Sequence, residues 1–459
     1  MKFIGRTEEI KLLKSVYSNS NYEGIVICGR RRIGKSELIK ESYKDFDAIT
    51  VYYECVDSTD ETNASFLCEQ ISKSFNVPVP NFKSVRECVD FIFQKSLKEK
   101  IIFVLDEYPY LRKNNASLDS VLQTLIDKYK MESHLKFILC GSCVAIMEEI
   151  LKEYNPLYGR FSVKMNIKQM DYLESSKFYP NMSNEDKVAI YSVFGGVPYY
   201  NQFVDDKLSV KENIINLVAS STSRLLLEAR DFVALEINKM ANANETFSAI
   251  AFENKKFSDI LNKSHVSSSP ALVDVLKKLE EMDAISKTSP INDETQKKTI
   301  YEISDRLTLF YYRYIFKKLS FFSVMNSDDF FEDFIKEDFY EHYVPKEFEK
   351  IGAQYLIRQN KEGKIKPPLY KVGKYYYDDP INKTNGEFDL VTLNKNGYDF
   401  YEVKFTNELV KDSVINEEKY QLSKANIKYN KLGFISKNGF DLKEKQDYIL
   451  ITLEDIYNA

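Results

Sequence analysis

Residues Ile25–Leu38 have the sequence IVICGRRRIGKSEL, and this stretch decides the fold around it. Its apolar start, Ile25–Cys28, predicts a short buried strand. Gly29–Ser36 follows with the eight-residue spacing of a phosphate-binding loop. The glycines of such a loop let backbone N–H groups and a helix N-terminus converge on the β- and γ-phosphates of a nucleotide. A basic turn that opens an ordinary helix is the alternative, but strand, glycines and Lys-Ser are all in register, so we interpret the stretch as a nucleotide site.

The side chains of the loop suit the same ligand. Lys35 offers a mobile cation to the phosphates, and the Ser36 hydroxyl is sized for the Mg²⁺ that bridges them. The triplet Arg30–Arg32 carries more positive charge than phosphate binding needs. It is either a recurrent feature of such loops or a set of side chains in solvent. The predicted nucleotide contacts are Gly29, Arg30, Arg31, Arg32, Ile33, Gly34, Lys35, Ser36 and Glu37.

Length and composition bound the rest of the chain. Its 459 residues exceed one hydrophobic core and predict roughly three domains. Charged residues make up 29% and apolar residues 44%, the balance of a folded globular protein. The N-terminus has no signal-peptide pattern and no run approaches a membrane-spanning length, so we expect a cytoplasmic protein. A net charge of −5 excludes a general nucleic-acid coat and limits DNA contact to a local patch.

A second apolar run ends in two acids. Ile101–Glu107 has the pattern of a buried parallel strand that delivers carboxylates to the carboxyl edge of a sheet. Many buried strands end in an acid at a loop, but the phosphate loop upstream favours the functional interpretation. We predict that Asp106 holds the Mg²⁺ shell and that Glu107 polarises the water that attacks the γ-phosphate.

Two polar residues further on complete the predicted catalytic set. Ser142 follows the strand-like run Leu135–Cys140, where its hydroxyl can sense the γ-phosphate or orient the attacking water. Cys140-Gly-Ser-Cys143 matches a C-x-x-C redox pair, but a strand end with small residues explains it more simply. Arg160 suits a finger or sensor contact that neutralises transition-state charge, and a surface arginine is the alternative.

The ordered motifs FIGRTEEI, GRRRIGKS, FVLDEYP, ILCGS, PLYGRF and FGGVPYY resemble the archaeal-type branch of AAA+ ATPases, relatives of the STAND and origin-recognition ATPases. The resemblance implies Mg²⁺-dependent ATP hydrolysis, ATP and ADP as ligands, and a parallel sheet followed by a helical lid. It implies that Phe3, Ile4 and Arg6 lie beside the adenine and that Pro198 packs near the base. Two questions stay open: whether Arg160 acts within its own chain or across a subunit interface, and whether the chain assembles in rings or stays monomeric until triggered.

The pattern of apolar and polar residues changes after the predicted lid. The sequence predicts two short helical segments, a helix over Ala271–Met282 and a hairpin ending at Ile303. This order is that of a helix-turn-helix with a wing, and it resembles the winged helix that follows the ATPase in the same family. Acidic residues on the longer helix reduce its positive charge, so a protein-contact role is the alternative to DNA binding. The cations available for DNA phosphates are Lys277, Lys278, Lys287, Lys297 and Lys298.

The C-terminal residues predict two paired strands that carry acidic and basic side chains on one face. Alternation along Asn385–Leu393 and Gly397–Phe405 puts Asp389, Glu402 and Lys404 together, as a metal-dependent phosphodiesterase requires. This pattern resembles the PD-(D/E)xK nuclease superfamily, which adds Glu349 as the helix acid and, more weakly, Gln421. Glu-x-Lys hairpins are also common on protein surfaces. Asp389 and Glu402 are the predicted metal ligands.

We therefore predict an α/β protein with a P-loop AAA+ sheet and helical lid, a winged helix-turn-helix and a restriction-endonuclease-like domain. The first functional hypothesis is an ATPase that acts on DNA through the winged helix and a Mg²⁺-dependent endodeoxyribonuclease. The second is a nucleotide-controlled, STAND-like switch that binds DNA or a protein partner without cleavage. The predicted divisions are residues 1–165 for the ATPase core, 166–235 for the lid, 236–320 for the winged helix and 321–459 for the nuclease-like domain.

Overall fold

The computed structural model describes residues 3–142, 144–230, 242–252, 256–281, 283–295, 297–379, 384–443, 445 and 447–458. The chain forms two compact units. The first contains Met1–Met170, Val197–Tyr199 and Glu281–Asp283, and the second contains Asp171–Gly196, Tyr200–Glu280 and Ala284–Ala459. None of the described helices is long and apolar enough to cross a membrane.

The first unit is built on a five-stranded parallel sheet with strand order β2-β3-β4-β1-β5. The strands are β1 Glu23–Cys28, β2 Ile49–Glu54, β3 Ile101–Asp106, β4 Leu135–Gly141 and β5 Val163–Asn166. The helices are Thr7–Tyr17, Lys35–Tyr43, Asp60–Phe75, Val85–Ser96, Tyr108–Asn114, Leu118–Tyr129 and Val144–Glu149. The predicted parallel sheet is confirmed, and all three strands that the sequence predicts belong to it.

Burial on both faces explains the continuous apolar runs of this sheet. Val26, Phe103 and Phe137 lie in one apolar cluster, whereas Ile102 and Ile138 lie in the cluster on the other face. Because β4 lies between β3 and β1 and all three are parallel, their carboxyl ends meet at one edge. That edge carries the phosphate-binding loop and the predicted acids.

The helices of the predicted lid segment belong to the second unit, apart from the start of Pro198–Asn201. Their bounds are Tyr172–Ser176, Asn184–Phe194, Pro198–Asn201 and Val210–Leu217. They pack against C-terminal elements: the Tyr172 hydroxyl donates to the Ile456 carbonyl at 2.8 Å, and the Tyr343 hydroxyl donates to the Ser192 carbonyl at 3.0 Å. The predicted boundary between residues 235 and 236 lies outside the described residues.

Three helices and a hairpin follow in the order that the sequence predicts. They are Ala243–Ala251, Phe257–Lys263 and Ser269–Glu281, then β6 Ile285–Thr288 and β7 Ile300–Ile303. The strands β6 and β7 are antiparallel, and Lys256 forms a bridge to Ile300 that adds a third short segment beside the hairpin. We call residues 289–299, which connect β6 to β7, the wing.

An aromatic helical region connects the hairpin to the C-terminal sheet. It consists of Arg306–Phe310, a π-helix Tyr311–Ile315, a 3₁₀ turn Phe316–Lys318, then Leu319–Val324, Ser327–Phe334, Lys336–Asp338, a second π-helix Phe339–Tyr343 and Val344–Lys361. The rings of Phe310, Tyr314 and Tyr343 contact one another with centroids 4.8–6.2 Å apart. These rings are buried and form packing contacts between helices.

The C-terminal sheet is mixed, with strand order β14-β12-β10-β9-β8. Its strands are β8 Lys371–Asp379, β9 Thr384–Asn394, β10 Gly397–Lys404, β12 Lys431–Ser436 and β14 Tyr448–Thr452, while β11 Val410–Lys411 and β13 Phe440–Asp441 form a small separate pair. The predicted pairing of β9 with β10 is confirmed as antiparallel. The remaining helices are Asp412–Lys424 and Leu453–Tyr457.

A largely buried ionic cluster joins β7 and the helix Arg306–Phe310 to the helix Val344–Lys361. Glu347 is 3% exposed and lies 2.6 Å from Arg306 Nε and 2.8 Å from Lys350 Nζ. The Lys350 ammonium also lies 3.5 Å from Glu302 in β7. Burial by itself raises the pKa of Glu347, but the charges of Arg306 and Lys350 lower it overall.

We expect Glu347→Ala to lower the free energy of unfolding by about 3–5 kcal/mol, because it leaves the largely buried charge of Arg306 without its carboxylate partner. Urea unfolding of the full chain, followed by circular dichroism, measures the loss. Glu337→Ala, which truncates an exposed glutamate, is the matched control. Equal midpoints for the two variants would contradict the assignment.

Candidate functional site

The loop after β1 has the backbone of a phosphate cradle. Gly29 and Gly34 have φ of 152° and 87°, values that favour glycine. A Cβ on Gly29 would also lie 2.5 Å from the Ile167 carbonyl oxygen. Gly34 precedes the helix Lys35–Tyr43 and leaves its N-terminus open toward the loop. The two glycines are therefore required by the backbone at both ends of the loop.

Lys35 is held by the loop itself. Its Nζ donates to the carbonyls of Gly29 at 2.8 Å and Arg30 at 3.1 Å, and the residue is 6% exposed. These two contacts fix the ammonium inside the curve of the loop. A triphosphate in the same curve would compete with the carbonyls for the lysine, and its higher charge favours the phosphate oxygens.

Asp106 and Ser36 meet at the edge of the sheet as the sequence predicts. The Ser36 hydroxyl donates to Asp106 Oδ2 at 2.5 Å, and the Tyr52 hydroxyl donates to the same oxygen. Burial by itself raises the pKa of Asp106, but hydrogen bonds from Cys140, Ser36 and Tyr52 lower it overall. An ionised carboxylate beside a hydroxyl is the donor set that Mg²⁺ prefers, so these residues fit the ion. Bound there, Mg²⁺ would neutralise charge on the phosphates.

Glu107 is aimed by its backbone and by Ser142. It has a φ of 52°, a left-handed conformation that is strained for a side chain of this size and costs about 1–3 kcal/mol. The Ser142 hydroxyl donates to Glu107 Oε2 at 2.9 Å, and the Ser142 N–H points to the same oxygen at 3.4 Å. In the described structure Ser142 therefore positions the carboxylate predicted to polarise the water.

The arginine triplet is more than a solvated face. Arg31 donates to the Tyr110 hydroxyl at 3.3 Å, and the guanidinium of Arg32 lies 4.1 Å from the ring centroid of Tyr199. Arg30 is buried. Two of the three side chains thus tie the loop to the segments that follow Glu107 and Pro198.

The segment predicted to lie beside the adenine packs near the loop. Phe3 contacts the apolar cluster that includes Ile33, and Ile4 is half-buried. Arg6 is buried and donates to the carbonyls of Lys168 at 2.6 Å and Ile33 at 3.4 Å. These bonds make Arg6 a clamp between this segment and the loop. Pro198 also lies near the loop, with its Cγ 3.8 Å from where a Cβ on Gly34 would stand.

Arg160 is not brought to the nucleotide loop of its own chain. Its guanidinium pairs with Asp127 at 2.6 Å. Its carbonyl lies 2.4 Å from the position of a Cβ on Gly24, near the start of β1, whereas the loop follows the end of that strand. Arg160 therefore stands at the amino edge of the sheet, opposite the edge where Ser36, Asp106 and Glu107 meet.

In the second unit, Asp389 lies in an ion cluster. Lys374 Nζ lies 2.9 Å from Glu387 Oε1 and contacts Asp389 Oδ1. Burial by itself lowers the pKa of Lys374, but the charges of Asp389 and Glu387 raise it overall, so the ammonium is retained. The register of β9 with β10 ends at the pair Leu390–Tyr401, and Asp389 and Glu402 are the residues that adjoin this pair on the two strands.

Glu402 has two partners of opposite character. Lys404 Nζ lies 2.5 Å from its carboxylate, and the buried carboxyl of Glu418 hydrogen-bonds to it. Burial, followed by the charge of Glu402, raises the pKa of Glu418 to about 8. Burial, followed by the charge of Asp389, likewise raises the pKa of Glu349 to about 8. The charges of Asp389 and Glu402 therefore both act on Glu349, and Lys404 pairs with Glu402.

Three contributors were missed from the sequence: Tyr52, Lys374 and Glu418. Gln421, the weaker prediction, is exposed on the helix Asp412–Lys424, and Glu418 of the same helix faces Glu402 instead. Within the described residues, no group of three or more His, Cys, Asp or Glu side chains is arranged to hold a metal ion. As they stand, Asp389 and Glu402 do not fit a divalent cation.

Comparisons with known proteins agree with the loop geometry. Residues 3–204 match the family described as an ATPase domain predominantly from Archaea, and residues 311–425 match a family of archaeal and bacterial proteins of unknown function. The uncharacterized protein MJECL04 of Methanocaldococcus jannaschii is 31% identical over 462 residues, 99% of each chain. The chain belongs to this archaeal-type ATPase family.

Two further likenesses of this archaeal-type ATPase cover part of the chain. The uncharacterized ATP-binding protein MJ0147 of M. jannaschii is 24% identical over 282 residues, 49% of this chain and 76% of its relative. The Walker-type ATPase PABY2304 of Pyrococcus abyssi has a TM-score of 0.51 and 20% identity, and the match covers 68% of this chain and 96% of that one. The latter shows a shared fold. Together the comparisons support ATP binding and hydrolysis, while the winged helix and the nuclease stay predictions.

Proposed function

We propose that this archaeal-type ATPase hydrolyses ATP and acts on DNA through its winged-helix region and its C-terminal sheet, where phosphodiester bonds are cleaved. The ATPase part rests on Lys35, Ser36, Asp106 and Glu107, which the loop after β1 and the end of β3 bring to one edge. The nuclease part rests on one observation: Glu349, Asp389, Glu402 and Lys404 come from a helix and two paired strands and share one electrostatic environment.

The route of the chain supports coupling between the two activities. Val197–Tyr199 belongs to the first unit, whereas the residues on either side belong to the second. Pro198 lies near Gly34, and Tyr199 stacks under Arg32 of the loop. A nucleotide that moves the loop therefore acts directly on a segment whose neighbours pack with the C-terminal elements.

The residues suggest how cleavage would be assisted. Lys404 is cationic beside Glu402 and can steady the negative charge of a strained phosphate or of the attacking hydroxide. Asp389 and Glu402 are the carboxylates that would hold a divalent ion, which supplies a Lewis acid for the phosphate. The observed arrangement does not fit that ion while Lys374 contacts Asp389.

We expect the full chain to nick supercoiled DNA when Mg²⁺ or Mn²⁺ is supplied, and Lys404→Ala to slow nicking by roughly 100-fold or more, since it removes the charge that steadies the transition state. Lys395→Ala, an exposed lysine in the turn between β9 and β10, is the matched control. Cleavage by Lys404→Ala at the parent rate would remove the nuclease from the proposal.

A second function is favoured by a specific observation. The carboxylates of the C-terminal sheet are already paired with Lys374 and Lys404, as in a structural ion network. This arrangement suits a nucleotide-controlled switch that binds DNA or a protein partner without cleavage. Salt-dependent DNA binding without nicking would support the switch on DNA, and the absence of salt-sensitive DNA affinity would leave a protein-directed switch.

A further inference from the structure

The wing is bound to the edge of the C-terminal sheet. The Ile291 N–H donates to the Lys374 carbonyl at 2.7 Å. The Asn292 side chain then imitates a strand, because its amide donates to the Tyr376 carbonyl at 2.7 Å while its oxygen accepts from the Tyr376 N–H at 3.1 Å. Strand β8 thus pairs with β9 on one side and with the wing on the other.

Side chains reinforce this pairing. Ile291 packs against the apolar cluster of the C-terminal sheet, and its Cγ2 lies 3.0 Å from the position of a Cβ on Gly373, so a larger residue there would push Ile291 by a few tenths of an ångström. Lys298 Nζ lies 3.4 Å from the ring centroid of Tyr376, and Lys371 donates to the Ile291 carbonyl at 3.2 Å. At least one cation that the sequence offered to DNA phosphates is therefore engaged within the chain.

The pairing falls on an irregularity between β8 and β9. Gly373 pairs with Val391 but Tyr375 pairs with Phe388, so a β-bulge in β9 sets two residues, Asp389 and Leu390, opposite Lys374. A bulge turns a side chain away from the regular alternation. Here the carbonyl of Lys374 accepts from the wing, and its ammonium reaches Glu387 and Asp389.

We propose that Lys374 is a built-in cation that closes the divalent-ion site of the C-terminal sheet, and that the docked wing holds it there. The inference rests on the proposed function, since it concerns regulation of the same site. Lys374 and a metal ion compete for the same oxygen of Asp389. When a ligand such as DNA pulls the wing from β8, the Lys374 carbonyl loses its partner Ile291 and the lysine can leave the carboxylate.

We call this closure of the ion site by Lys374 and the docked wing the lock. Binding of Mn²⁺ to the full chain, measured by calorimetry, tests it. We expect Lys374→Gln to raise the affinity for Mn²⁺ at least ten-fold. Asn292→Ala, which removes both side-chain bonds to Tyr376, should raise it several-fold. Lys419→Gln, a lysine on the helix Asp412–Lys424 that contacts Tyr448 instead of the carboxylates, should leave it unchanged. Asp389→Asn, added to Lys374→Gln, identifies the site by abolishing this gain in affinity, while any uptake at Ser36 and Asp106 is unaffected.

A second measurement needs no substitution. Because linkage is reciprocal, Mn²⁺ that displaces Lys374 must also loosen the wing, so amide hydrogen exchange at Ile291 and Tyr376 should become faster when the ion is bound. Equal affinities in the parent, Lys374→Gln and Asn292→Ala, with unchanged exchange, would overturn the lock and leave the proposed site standing. No uptake by any variant, or a gain in Lys374→Gln that survives the addition of Asp389→Asn, would overturn the proposed metal-dependent cleavage itself and the lock with it.

Discussion

Replacing Lys35 with alanine is expected to weaken ATP binding by roughly 30- to 3,000-fold, corresponding to about 2–5 kcal/mol for loss of one partner from a buried, hydrogen-bonded charge pair. The ammonium lies inside the loop on the carbonyls of Gly29 and Arg30, where a phosphate would meet it. The variant also leaves these two carbonyls without their donor, so the loop loses part of its shape. Calorimetric titration of the full chain with ATP and Mg²⁺ measures the effect.

Lys44→Ala provides the comparison, because Lys44 is an exposed lysine just past the end of the same helix. It should bind ATP like the parent. If Lys35→Ala also retained parent affinity, the loop after β1 would not be the phosphate site, and the ATPase assignment of these residues would be wrong.

Replacing Glu107 with glutamine is expected to reduce ATP turnover by roughly 10²–10⁴-fold, the usual contribution of a general base, while ATP affinity changes little. The glutamine keeps the size and the hydrogen bond from Ser142 but cannot accept the proton of the attacking water. Steady-state phosphate release gives the rate, and equilibrium titration gives the affinity. The separation of the two distinguishes this variant from Lys35→Ala.

Glu54→Gln is the matched substitution for Glu107→Gln. Glu54 ends β2 and pairs in register with Asp106 on the neighbouring strand, so it is an acid at the same edge of the sheet. We expect it to keep the parent rate. Parent turnover by Glu107→Gln would show that another group activates the water and would assign the strained carboxylate a structural role.

Much of the first unit is predictable because buried parallel strands leave a strong signal. The runs at β1, β3 and β4 are continuously apolar, and the polar residues that follow them mark the carboxyl edge. The motif spacing also predicts that Ser36 and Asp106 lie together, and their hydrogen bond agrees with it. In the C-terminal sheet, strict alternation and a short turn predict β9 and β10 for the same reason.

The sequence does not reveal which residues arrive from neighbouring strands. Tyr52 reaches Asp106 because β2 lies next to β3, and strand order is a tertiary property without a local pattern. Lys374 lies in a strand that the sequence did not predict, opposite a bulge in β9 that has no local sequence pattern. Arg160 shows the converse, because a motif identifies an arginine after a turn but not the edge of the sheet on which it falls.

The docked wing has a practical consequence for dissecting this protein. Strand β8 is the last strand of its sheet, and outside β9 the backbone groups of Lys374 and Tyr376 are satisfied by Ile291 and Asn292. A fragment that starts at residue 321 would expose that row of donors and acceptors, which is the template for edge-to-edge aggregation. A well-behaved C-terminal fragment therefore has to include the hairpin, and poor solubility of a shorter one would say nothing about its chemistry.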